Sequence, residues 1–212
     1  MFESLIPAAF PALVLAHFLA LLSPGQDFFL IAGHAIRHDL RGSRFICVGV
    51  ALGNAVYIAL AILGWSGIRD LPRLFTLIEI VGAMYLLWVG WQLLRSQPTD
   101  LTIAARTGQP PGMLRQLLLG LNSALLNPKN ALFYMSLMTV ILGKDVTFTQ
   151  QVVCGLWMVM AVLLWDLFVA AAIGRGAVRG FLQRKVHLFE RGAGMVLISM
   201  GLGLVWRVQE PG

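Results

Sequence analysis

Ser23-Pro24-Gly25-Gln26-Asp27 interrupts an otherwise apolar run that spans residues 5–36. Proline removes a backbone donor and clashes with the carbonyl one turn back. The glycine beside it relaxes the dihedral limits. Together they split one helix into two halves. In a membrane, backbone freed in this way is tolerated only where it faces protein or a water-filled cavity. Asp27 opens the second half-helix, and a carboxylate inside a span costs about 2.5–3.5 kcal/mol on insertion scales. Something must offset that cost. A second interruption of the same kind, Asn127-Pro128-Lys129-Asn130, falls near the centre of the run 116–143. Two broken spans thus carry Asp27 and Lys129, charges of opposite sign, at equivalent points.

The rest of the chain says what surrounds these breaks. Of its 212 residues, 58% are hydrophobic and 12% are charged, against about 45–50% and 25% in an ordinary soluble domain. Mean hydropathy is +0.79. Disordered chains, disulfide scaffolds and soluble domains are excluded. The apolar stretches are long runs without strand alternation, so the fold is an all-α integral membrane protein and not a barrel. Six runs are long enough to be read as spans: 5–36, 45–68, 74–94, 116–143, 146–173 and 192–208. The first is a membrane helix and not a cleaved signal peptide, because residues 1–10 carry no basic segment.

Lys and Arg orient the chain. Eleven lie in the first, third and fifth connections, among them Arg37, Arg41, Arg95, Arg115, Arg179 and Lys185, and four lie on the opposite side. Cytoplasmic loops collect these residues, which places both termini outside the cytoplasm. The net charge of +6 comes without a basic stripe interleaved with surface aromatics, so it indicates no nucleic-acid partner. Cys47 and Cys154 lie within apolar runs and read as small hydrophobes.

The chain reads as one domain, 1–212, made of two related halves. Pro24 and Pro128 are 104 residues apart. Asn54 and Asp166, in the second and fifth spans, are 112 apart, as are Arg95 and Arg207. Gly82-Ala83 and Gly90 of the third span find counterparts in Gly192-Ala193 and Gly201 of the sixth. Halves of about 1–97 and 113–212, joined by the Pro- and Gly-containing loop 96–114, each hold three helices. Three is odd, so the second half enters from the opposite side. The expectation is six transmembrane helices in an inverted 3+3 repeat, with the first and fourth helices broken, a plan used by secondary transporters.

The expected site lies between the breaks: Pro24, Gly25 and Asp27 from one, Asn127, Pro128 and Lys129 from the other. Intramembrane charge marks a functional site by default. A zwitterion suits the pair, its ammonium meeting Asp27 and its carboxylate meeting Lys129 or the free N–H groups of a half-helix start. Asp166 and its repeat mate Asn54 complete the candidates. Protonation would neutralise Asp166, the chemistry of a proton carrier; a structural, hydrogen-bonded aspartate is the other reading. Glu79 reads as reaching water, Asn122 as helix glue, and His17 as packing. His34, His38 and His187 read as interfacial. Trp65, Trp88, Trp91 and Trp206 suit an aromatic belt. Gly49 and Gly53 form a Gly-xxx-Gly packing face. No metal-ligand spacing and no nucleophile–base pair is visible.

The motifs also carry a family resemblance. Ser23-Pro24-Gly25-Gln26-Asp27 resembles the Pro-Gly-Pro-Asp signature of the LysE/RhtB amino-acid exporters, with Gln26 in place of the second proline. Leu126-Asn127-Pro128-Lys129 is similar to their Leu-Asn-Pro-Lys signature, followed here by Asn130 where alanine is usual. The segment from Gly82 to Gly90, with Leu93-Leu94-Arg95, resembles their third helix, and Gly49 and Gly53 match the glycines of the second. The Pro-Gln-Phe that commonly follows the fourth helix is absent, and Leu137-Met138-Thr139-Val140 stands there. The resemblance implies efflux of amino acids or their derivatives across a bacterial inner membrane, driven by protons, with no cofactor and no enzymatic step. The alternatives are a metal-cation exporter of similar architecture and a membrane thiol–disulfide relay through Cys47 and Cys154. Oligomeric state is left open.

Overall fold

Inside a bilayer every backbone N–H and C=O must bond within its own segment, so a long apolar run becomes helix. The structure, a computed structural model, describes residues 5–22, 25–68, 72–95, 97, 109–127, 130, 133–138, 146–173, 187–188, 191–192, 194–203 and 205–206. Among them there is no strand. The helices are α1 (Phe10–Leu21), α2 (Gln26–His38), α3 (Arg44–Ile68), α4 (Pro72–Leu94), α5 (Met113–Leu125) and α6 (Phe148–Ile173). A shorter apolar helix, α7, covers Gly194–Gly203. A helical segment at 133–138 follows the second break.

Among the described residues, α6 and the Arg44–Gly64 part of α3 are each long and apolar enough to cross a membrane. At 1.5 Å per residue, the 25 residues of α3 reach about 38 Å, beyond the roughly 30 Å hydrocarbon layer. The bent pair α1 and α2 makes a third candidate span, its halves inclined at 55°. Outward faces are apolar: Leu52, Val56, Leu60 and Leu63 on α3, and Leu156, Met160, Leu164 and Phe168 on α6, are all exposed. The three- and four-residue spacing lays each set along one helix face, as lipid contact requires. Arg95, just past α4, stacks over the half-exposed Trp91 ring at 4.5 Å, an arrangement suited to an interface, where one end of each side chain meets water.

The most extensive packing joins α3 to α5, and glycines explain it. A Cβ added at Gly49 would run into the backbone of Leu117 and Leu121, and one at Gly120 into the backbone of Ile46. At Gly53 it would come within 2.5 Å of the Ala124 methyl. The two helices therefore touch backbone to backbone. The buried Gln116 side chain locks the near end. Its Oε1 accepts from the Phe45 N–H at 3.2 Å, and its Nε2 donates to the carbonyls of Pro111 at 2.6 Å and Arg41 at 3.1 Å. At the far end, the Tyr57 hydroxyl donates to the Leu125 carbonyl at 2.6 Å, satisfying an acceptor that the end of α5 leaves open. A second glycine crossing joins α4 and α7. A Cβ at Gly90 would lie 2.8 Å from the Gly194 carbonyl, and one at Gly194 would lie 2.6 Å from that of Gly90.

The core is divided. One apolar cluster gathers Leu13, Ala16 and Ala20 of α1, Ile58, Ala61 and Ile62 of α3, Phe133, Tyr134, Leu137 and Met138, and Cys154 and Met158 of α6. The other gathers Ile31, Ala32 and Ala35 of α2, Ile46, Cys47, Val50 and Ala51 of α3, Ala124, and Val162, Val169, Ala170 and Ile173 of α6. Each cluster takes one half of the bent α1–α2 pair and one end of α3 and α6. The boundary between them falls at the level of the breaks.

Candidate functional site

Asp27 sits in the first turn of α2, with Gly25 as N-cap in an extended conformation (φ −116°, ψ −168°) and no side-chain cap. The positive end of the helix dipole and the open N–H groups there favour a carboxylate. The decisive contacts come from across the molecule. The Ser123 hydroxyl, on α5, donates to Oδ1 of Asp27 at 2.5 Å. The side-chain amides of Asn127 and Asn130, either side of the second proline, donate to Oδ2 at 3.2 Å and 2.9 Å. Asn130 Nδ2 also reaches the Ala124 carbonyl at 3.3 Å. One break thus presents a carboxylate, and the other, together with the last turn of α5, presents three donors. Charge-assisted bonds of this kind are the strong ones, and they offset much of the cost of placing Asp27 at membrane depth.

A cavity of about 70 Å³ opens beside this junction, room for a few waters or part of a small solute. Its wall includes His17, Gly25, Asp27, Asn54, Asn127, Asn130, Tyr134 and Asp166, with apolar cover from Val50, Val162 and the Phe28, Phe133 and Trp165 side chains. Asn54 donates its amide hydrogen to the Val50 carbonyl at 3.0 Å, which leaves Oδ1 buried without a partner among the described residues. Asp166, on α6, is also buried, and its Oδ2 has none. A buried acceptor left unmet costs about 1–3 kcal/mol, so these atoms suit a ligand that donates. With Asp27 alongside, the wall is chemically matched to an ammonium group.

Five expected site residues, Gly25, Asp27, Asn54, Asn127 and Asp166, therefore line one cavity although they come from four separate stretches of chain. Pro24, Pro128 and Lys129 lie outside the described residues, as does the side chain of Glu79. Two readings change. Asn122 is exposed on α5 and glues no helix among the described residues, because Ser123, one position on, faces inward instead. His17 is packed among rings, with Phe133, Tyr134 and Trp157 centroids at 6.1, 6.0 and 5.6 Å, yet it also lines the cavity. Ser123, Asn130 and Tyr134 were not singled out as site residues. Asn130 alone had left a signal, as the residue departing from the motif it follows.

Cys47 and Cys154 are buried and unpaired, and they belong to different core clusters. Among the described residues no three His, Cys, Asp or Glu side chains gather as a metal site would.

Apolar helices with lipid-facing stripes, two breaks that bond to each other, and a buried polar cavity between them define a helical membrane protein of the translocating kind. The chain belongs to the LysE type translocator family, whose model matches residues 18–207. It is 28% identical over 205 residues to a threonine efflux protein of Escherichia coli strain K12, covering 92% of this chain and 97% of the relative. A leucine efflux protein of Enterobacter sp. strain 638 is 29% identical over 191 residues, covering 86% and 87%. A threonine efflux protein of Salmonella typhi is 26% identical over 199 residues, covering 92% and 97%. No solved structure matches the chain.

Proposed function

We propose that this protein exports amino acids or their derivatives from the cytoplasm across a bacterial inner membrane, in exchange for protons, by alternating access. The observation that carries the reading is the junction at Asp27. A carboxylate held by Ser123, Asn127 and Asn130 shares a cavity with Asn54 and Asp166, each with an oxygen that has no partner among the described residues. That set of acceptors suits the ammonium common to all amino acids. Names of the relatives, threonine efflux and leucine efflux, support the substrate class. The reading includes six spans in an inverted repeat with both termini outside. It assigns the substrate carboxylate to Lys129 and the half-helix N–H groups, and it makes Asp166 the proton carrier.

Export follows from these parts in a simple cycle. A substrate ammonium docks against Asp27 and is desolvated by the apolar cover around it. The two halves then rock, and the site faces the other side. Protonation of Asp166 from outside weakens the acceptor set and helps release. The test is efflux from a host lacking its own exporters. Cells overproducing the protein should release labelled amino acid faster than control cells, and Asp27→Asn should abolish the gain at equal membrane abundance. Undiminished efflux by that variant would remove Asp27 from the site.

A further inference from the structure

The breaks meet a second time, and this contact has no part in holding Asp27. α2 meets α5 through Asp27. α1, the other half of the first span, meets the segment 133–138, the other half of the fourth, through His17 and Tyr134. His17 Nε2 lies 3.5 Å from the Tyr134 hydroxyl, and both side chains are buried and line the cavity. Phe133, Tyr134 and Trp157 surround the imidazole and fix its ring. With Nε2 turned to Tyr134, Nδ1 is buried with no partner among the described residues. Packing alone does not call for an imidazole here, since phenylalanine would fill the same ring-lined slot without an unmet polar atom.

We propose that His17 is a specificity-determining residue that hydrogen-bonds a hydroxyl on the side chain of the transported molecule, with Tyr134 as the residue that positions it. This rests on the export reading above. The chemistry selects a hydroxyl. Imidazole nitrogen donates or accepts according to tautomer, and a hydroxyl can do either in return. No Lys, Arg, Asp or Glu among the described residues lies on α1 or 133–138, so these two segments themselves offer a substrate side chain no charge, only the imidazole and the phenol. An alkyl side chain leaves Nδ1 unmet. Sites built to bond a hydroxyl reject the analogue lacking it far more strongly than apolar pockets reject an extra one.

Threonine and valine are nearly isosteric and differ at the atom in question. Efflux of each is measured from preloaded cells producing the full chain. Wild type should export threonine in preference to valine by about tenfold or more. His17→Phe should collapse that ratio to about unity, Tyr134→Phe should lower it, and His17→Asn, which keeps a donor and an acceptor, should restore part of it. The proposal is overturned if wild type exports both without preference, or if the ratio survives in His17→Phe. Should His17→Phe fail to reach the membrane, an unchanged ratio in both Tyr134→Phe and His17→Asn overturns it, as does equal loss of both substrates in every variant. Wild type exporting no amino acid at all would instead remove the export reading itself. Export of both without preference would leave that reading standing.

Discussion

Asp27 gains three donors from residues about a hundred positions away, and each should be measurable on its own. A hydrogen bond to a charged group contributes about 1.5–3 kcal/mol, roughly ten- to a hundredfold in an equilibrium. Ser123→Ala removes the shortest of the three and should lower efflux by at least tenfold. Asn130→Ala should cost less, because Asn130 Nδ2 divides its donation between Asp27 and the Ala124 carbonyl. Initial efflux rates at matched membrane abundance check the order. Asp166 has a different signature. If it carries the proton, Asp166→Asn should still exchange labelled for unlabelled substrate across the membrane while losing its response to an imposed pH gradient. A variant that still responds would assign coupling elsewhere. The carboxylates were legible in the sequence because charge is rare in apolar runs. Ser123, Tyr134 and the cavity role of His17 were not, because an uncharged polar residue in a span carries no mark of which neighbour it faces.

At the scale of helices, α3 and α5 depend on having no side chain at their crossing. Gly49 and Gly120 each face the partner's backbone, which cannot move aside as a side-chain tip can. Gly120→Leu and Gly49→Leu should therefore separate the helices and leave little monodisperse protein on size exclusion in mild detergent. Gly203→Ala on α7 is the control, since nothing among the described residues lies within 4 Å of a Cβ there, and it should match wild type. Gln116→Leu keeps the volume but strands the Phe45 N–H and two carbonyls, and it should lower the thermal midpoint without abolishing folding. The helices themselves were largely readable. The expected span 45–68 is α3 at Arg44–Ile68, and 146–173 is α6 at Phe148–Ile173. The expected interruptions fall between α1 and α2 and just after α5, and the Gly-xxx-Gly face of the second span was visible from spacing alone. Its partner was not, because helices apolar on nearly every side give no amphipathic signal to say which face meets which neighbour.

For the molecule as a whole, the divided core bears on mechanism. One apolar cluster holds α1 with 133–138 and the other holds α2 with Ala124 of α5, while the polar cavity lies where they part. Polar contacts bridge the breaks on both sides of that plane, Asp27 to Ser123 on one and His17 to Tyr134 on the other. The proposed alternating access would have one side open while the apolar cluster on the other stays closed, since well-packed clusters have discrete arrangements and do not deform continuously. Accessibility should therefore alternate at one and the same residue. Gly25 lines the cavity beside the first break, so Gly25→Cys is the natural probe. Cys47 and Cys154 are both buried and can be replaced by alanine first, with efflux of that background confirmed. A membrane-impermeant thiol reagent should then label Gly25→Cys from the cytoplasmic side in inverted vesicles and from the outer side in intact cells. Saturating substrate or an imposed pH gradient should raise one rate as it lowers the other. Labelling from a single side under every condition would count against alternating access. In that event the division of the core would be only a consequence of breaking two helices at one depth.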